Sequence, residues 1–133
     1  MIKRGQYGIY QGKEYSLGSE DGEFVNLISR DYIELKHGFI PHPLDNKFLS
    51  KKVKKEDLEK AYYITPYVIY KGREFGIAAG DGSTSSIIIG TTYKSEADEL
   101  GMRNVNKSEY ELEVELKDVQ LMEERKPIWG FSF

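Results

Sequence analysis

An all-β chain in which one unit is written twice is what this sequence predicts, and three observations predict it. The stretch "YGIYQGKEYSLGSEDGEFVNLI" (7–28) returns as "YVIYKGREFGIAAGDGSTSSII" (67–88), with eight of 22 positions identical when aligned without a gap. Average residue usage would give roughly one or two matches. Short segments in both copies alternate apolar and polar residues, the two-residue period of a half-buried strand. No stretch of the 133 residues reads as a long amphipathic helix.

The identical pairs are Tyr7/Tyr67, Ile9/Ile69, Tyr10/Tyr70, Gly12/Gly72, Glu14/Glu74, Asp21/Asp81, Gly22/Gly82 and Ile28/Ile88. After Ile28 the match fades, then returns with one extra residue at Val53/Val114, Asp57/Asp118, Leu58/Val119 and Pro66/Pro127. A period of this length corresponds to a small domain rather than a solenoid repeat. Two units are therefore expected, residues 1–65 and 66–133.

Each copy opens with a strand and bends at Gly12 or Gly72 into "KEYSL" or "REFGI". Tyr15 and Leu17, or Phe75 and Ile77, fall on one side of an alternating, half-buried strand there. Asp-Gly follows, a turn signal because the turn needs positive φ. The chain then returns through "EFVNLIS" or "SSIIIGTT", rich in β-branched and aromatic residues. The next segments are irregular. "DYIELKHGFIPHPLDNK" (31–47) holds two prolines, whereas Ser95, Asp98 and Gly101 predict one or two helical turns in copy two. "YELEVEL" (110–116) places Tyr110, Leu112, Val114 and Leu116 on one face and Glu111, Glu113 and Glu115 on the other. Asp57 and Asp118 are each expected to start a short 3₁₀ turn. "AYYITPYVIY" (61–70) then leads from copy one into copy two, with Pro66 expected at an edge, a bulge or a strand start. "IWGFSF" (128–133) matches the start of a further unit and is expected to be paired and buried.

This order of strand, bend, strand, Asp-Gly turn, strand, irregular loop, strand, 3₁₀-like turn and final strand resembles the SH3-like small barrel. The segments "YQGKEY" and "YKGREF" look like the opening strands of bacterial SH3-like domains. The resemblance covers nearly the whole chain, once per copy, and implies two tandem barrels. Neither copy carries the ALYDY-type signature of signalling SH3 domains, so no proline-rich ligand is implied.

With no cysteine, neither disulfides nor a thiolate zinc site is possible. The start of the chain has no apolar signal region and no run approaches a membrane span, so a cytoplasmic protein is expected. Net charge is −3. Residues 1–66 carry 11 Lys/Arg against 10 Asp/Glu, and residues 67–133 carry 8 against 12.

Catalytic constellations are missing. "STSS" (83–86) lacks a GxSxG context, and copy two contains no histidine. Glu14/Glu74 read as an outward strand face and Asp21/Asp81 as turn chemistry. His37 and His42, with Asp45 as the one candidate third ligand, read as polar residues of a Pro-rich loop rather than as a zinc site, which wants three or four ligands. Neither a metal nor a cofactor is expected, nor an enzyme.

The acidic stripe Glu111, Glu113 and Glu115, with Glu109, Glu123 and Glu124 close in sequence, predicts a surface for a basic protein partner. Small, acidic, cysteine-free proteins of this kind resemble immunity proteins that neutralise basic toxin domains. The alternative is an RNA- or ribosome-associated module using Lys51, Lys52, Lys54 and Lys55 with exposed aromatics such as one of Tyr62 and Tyr63.

Overall fold

Two hairpin turns set the frame. Gln11 and Gly12 both take positive φ (49° and 80°), as do Lys71 and Gly72 (50° and 78°). Positive φ at both central residues is the two-residue turn whose twist matches the strands it joins. A computed structural model of the chain, describing residues 2–133, shows strands over 55% of the chain and helical turns over 14%. The protein is therefore mostly β. The strand pairs with a described register are antiparallel, and the sheet is open. The chain divides into two compact units, Gly5–Ile64 with Arg125–Phe133, and residues 2–4 with Thr65–Glu124.

In the first unit the strands are β1 (Gly5–Tyr10), β2 (Lys13–Asp21), β3 (Phe24–Ser29), β4 (Ile40–Pro41), β5 (Leu49–Lys54) and the start of β6 (Lys60–Tyr70). Their order is β4-β5-β3-β2-β1-β6. The alternation of "KEYSL" is realised: Tyr15 and Leu17 are buried with Val25, Leu27, Leu49 and Val53 in one apolar cluster. A 3₁₀ turn, Tyr32–His37, fills the irregular segment. Asp31 caps it by accepting from the Ile33 N–H, and Gly38 ends it at φ 84°.

In the second unit β6 continues to β7 (Arg73–Ala79), β8 (Ser86–Thr91), α1 (Lys94–Leu100), β9 (Arg103–Asn106), β10 (Glu109–Glu115) and β11 (Gln120–Pro127), ordered β6-β7-β8-β10-β9. β11 also pairs with β6. Val68, Phe75, Ile77, Ile87, Ile89 and Val114 form its core, with Ala97 of α1 against them. β6 pairs with β1 over residues 60–64 and with β7 over 67–70. Pro66, which has no N–H to donate, falls between those two registers.

Several expectations meet a different local answer. The opening hairpins share one register at a spacing of sixty: Gly8 faces Tyr15 as Val68 faces Phe75, and Tyr10 faces Lys13 as Tyr70 faces Arg73. Beyond the Asp-Gly turn the gapless correspondence fails. Leu27 faces Leu17, but Ile89, not Ile87, faces Ile77. The stretch between these facing pairs is two residues longer in the second copy, where Asp81 accepts from the Ser83 N–H (2.9 Å). The short 3₁₀ turns, Lys55–Asp57 and Leu116–Asp118, end at the aspartates rather than start there. Helix α1 ends at Gly101 as expected, but its N-cap is Tyr93, not Ser95. The C-terminal segment is not a buried strand. Positive φ at Trp129 and Gly130 turns the chain, so Ile128, Trp129 and Phe131 are only partly buried against the first core, and Phe133 is exposed.

Candidate functional site

Registers in the second unit create an unusual floor. Gly76 of β7 faces Gly90 of β8, and Gly90 faces Glu111 of β10. Residues opposite one another in a ladder project to the same face. Two neighbouring positions on that face therefore carry no side chain, and a cavity of about 430 Å³ opens above them. A Cβ on Gly76 would meet nothing within 4 Å.

Four glutamates line this cavity, Glu74, Glu96, Glu109 and Glu111, together with Tyr93 and the backbone of Tyr110. Glu96 accepts from the Thr91 hydroxyl (2.9 Å). Among the described residues no cation forms an ion pair with Glu74, Glu109 or Glu111. Arg103 faces Glu111 in the β9–β10 register without pairing to it. Nor do three carboxylate or imidazole groups among the described residues come close enough to hold a metal ion. The arrangement suits an extended organic cation, which aromatic faces and separated carboxylates attract together.

The acidic stripe is thus divided. Glu109 and Glu111 line the cavity. Glu113, facing Ile88, takes a hydrogen bond from the Ser86 hydroxyl (3.3 Å), and Glu115 pairs with Lys117 (3.1 Å). Glu123 and Glu124 are exposed on β11 and do not line it. Sequence reading placed Glu74 on an outward strand face without giving it a binding role, and missed Glu96 and Tyr93. The available signal was one of the differences between the copies, Ser16 becoming Gly76.

The lysines of β5 do not share one face. Lys51 donates to the His37 carbonyl (2.9 Å) and stands 5.2 Å from the Tyr10 ring centroid. Lys52 lies 3.8 Å from Asp21 and over Phe24, and Lys54 lies 3.8 Å from Glu56. Lys55, just past the strand, pairs with Glu20 and covers Trp129. Tyr62 is buried and hydrogen-bonds Glu14, while Tyr63 is 42% exposed.

A second cluster, also missed, lies in the first unit. Glu34 is fully buried in the 3₁₀ turn. Its Oε2 accepts from the Tyr15 hydroxyl, and its Oε1 from Lys13 Nζ (3.2 Å) and His37 Nδ1 (3.1 Å). Burial alone would raise this carboxyl, but the hydrogen bonds from Tyr15, His37 and Lys13, with the Lys13 charge, together hold it below the ordinary carboxylate range. Burial, then the Glu34 hydrogen bond and charge, push the Tyr15 hydroxyl well above the ordinary tyrosine value. His37 therefore belongs to the polar network around the buried Glu34, whereas His42 accepts from the Leu44 N–H (3.2 Å) in the adjoining loop.

No described helix is long and apolar enough to cross a membrane. No curated protein and no solved structure matches the chain significantly. One family does match, over residues 2–130 and so across both units: the chain belongs to the family described as "Uncharacterised conserved protein UCP033725".

Proposed function

We propose that the protein is a non-enzymatic binding protein of two duplicated SH3-like units, in which the acidic cavity of the second unit receives a lysine or arginine side chain of a basic protein partner. Glu74, Glu109 and Glu111 carry this reading, because among the described residues no cation pairs with them around a glycine-floored cavity beside Tyr93. Carboxylates left without internal cations repel one another and attract an external one. The surface also steers a basic partner during encounter. An immunity-type protein that neutralises a basic toxin domain fits such a site.

Support for the duplicated barrel comes from connectivity and register. In the first unit, consecutive strands β1, β2, β3 and β5 pair in turn, a 3₁₀ turn follows β5, and β6 returns to β1. In the second, β6, β7, β8 and β10 pair in turn, a 3₁₀ turn follows β10, and β11 returns to β6. The nucleic-acid reading is weaker, since Lys51, Lys52, Lys54 and Lys55 are split between faces and each has an internal partner.

The test titrates the full chain with acetylated lysine- and arginine-containing peptides, against the same peptides carrying glutamine. Binding that falls with salt is expected. Replacing Glu109 and Glu111 together with Gln should weaken it about tenfold or more. Replacing Glu113 and Glu115 together should cost less. Equal losses from the two pairs would refute the cavity and leave only a diffuse acidic face. Salt-sensitive binding of generic RNA, lost on neutralising the four lysines, would favour the nucleic-acid reading instead.

A further inference from the structure

We propose that the recess beside Glu34 in the first unit binds a small oxyanion group, a carboxylate or a phosphate, held between Lys13, Lys51 and His37. The recess measures about 380 Å³, with Tyr10, Ile33 and Phe39 supplying its apolar wall.

The carboxylate at its base is closed to solvent and already engaged at both oxygens by Tyr15, Lys13 and His37. An entering anion therefore meets the cations around Glu34 and not Glu34 itself. The Lys13 side chain is 50% exposed and that of His37 60%, so both reach the open side.

Donors remain available there. An ammonium has three N–H donors. Lys13 gives one to Glu34, and Lys51 gives one to the His37 carbonyl. Each also stands over a tyrosine face, Lys13 at 5.5 Å from the Tyr15 centroid and Lys51 at 5.2 Å from that of Tyr10. Those ring contacts fix the heads without consuming further N–H groups. His37 turns Nδ1 to Glu34 and, when protonated, offers Nε2 as another donor.

Charge points the same way. Lys13 and Lys51 outweigh Glu34 before His37 is counted, and the tyrosines Tyr10 and Tyr15 complete the titratable groups facing the recess. Glu34 acts as a positioning residue. It ties a β2 lysine to the 3₁₀ turn, and the turn's His37 carbonyl in turn holds a β5 lysine. The donors are thus fixed before the ligand arrives, which lowers the entropic cost of binding. The second unit lacks the same set: Leu112 stands where Lys51 would be, and Arg73 pairs with Glu99.

The experiment follows backbone amide NMR shifts of the full chain during titration with sodium phosphate, sodium acetate and sodium chloride at matched ionic strength. Saturable shifts around residues 10–15, 33–39 and 51 are expected with phosphate or acetate and not with chloride. A stronger response to phosphate assigns a phosphoryl ligand, and a stronger response to acetate assigns a carboxylate. Lys13→Gln and Lys51→Gln, which remove the charge and keep a polar side chain, should each weaken binding about tenfold. Lys107→Ala, far along the sequence on a β9–β10 turn, should leave it unchanged. Non-saturating shifts, an equal response to chloride, or wild-type affinity in both lysine variants would overturn the proposal.

Discussion

Tyr15 and Phe75 occupy the same place in their hairpins, one facing Gly8 and the other Val68, and both are buried. One hydroxyl separates them, and the surroundings differ accordingly. A buried hydroxyl without a partner costs free energy, so the first unit supplies Glu34, and Glu34 in turn recruits Lys13 and His37. In the second unit Phe75 makes no such demand, and the helix against that core buries Ala97 instead. On the outer face the contrast reverses. Glu14 is held by the Tyr62 hydroxyl and by Arg125 at 3.4 Å, while its counterpart Glu74 faces a cavity with no cation among the described residues paired to it. At the next positions Ile28 packs over Gly18, whereas Ala78 and Gly90 leave the floor of that cavity bare. Similar hairpins thus keep their charge inside in one unit and expose it in the other.

The sharpest way to break this comparison is to remove Glu34. Glu34→Ala leaves a buried tyrosine hydroxyl and the side chains of Lys13 and His37 without their shared acceptor, and should cost about 3 kcal/mol or more in urea unfolding. Tyr15→Phe copies the second unit and keeps the Lys13 and His37 bonds, so its cost should be smaller, about 2 kcal/mol. Should both substitutions prove neutral, the network is not what organises this core.

pH separates the two partners. Glu34 is held below its ordinary value in the folded chain. Its contribution is present above the unfolded carboxylate value and is lost as pH falls through the folded one. Tyr15 is held above its ordinary value. Its contribution is intact below about pH 10 and declines as pH rises further toward the folded value. Stability measured against pH should therefore lose part of its acid limb in Glu34→Gln and part of its alkaline limb in Tyr15→Phe. Superimposable wild-type and variant curves on both limbs would show that neither group is coupled to folding.

The strands were legible because alternation reports directly on burial. "KEYSL" announced Tyr15 and Leu17, and "YELEVEL" announced Val114, all of which are buried. Register across the second turn was not legible. Three consecutive isoleucines satisfy either slip, and only the length of the Asp81 turn decides which of them faces Ile77. Glu34 was hidden for a different reason. In "DYIELKH" it reads as one polar residue of a polar loop, and its acceptors' partners come from β2, nineteen and twenty-one residues away. The acidic cavity was half visible. Glu109 and Glu111 stood out as charges, but Gly76 and Gly90 register as a binding feature only once the ladder sets them face to face.

Gly76→Val tests that last point with the smallest expected change in stability. Glycine inside a strand sacrifices backbone entropy, and a β-branched residue suits the strand better. Gly76 does not take positive φ, and its added Cβ meets nothing within 4 Å. The substitution should therefore be neutral or stabilising by roughly 0.5–1 kcal/mol. It also projects a branched side chain onto the floor of the cavity while leaving Glu74, Glu96, Glu109 and Glu111 in place. If shape as well as charge admits the basic side chain, lysine-peptide binding should fall about tenfold in a protein as stable as the parent. Undiminished binding in that variant would mean that the partner reads the carboxylates from outside, and that the paired glycines serve the sheet alone.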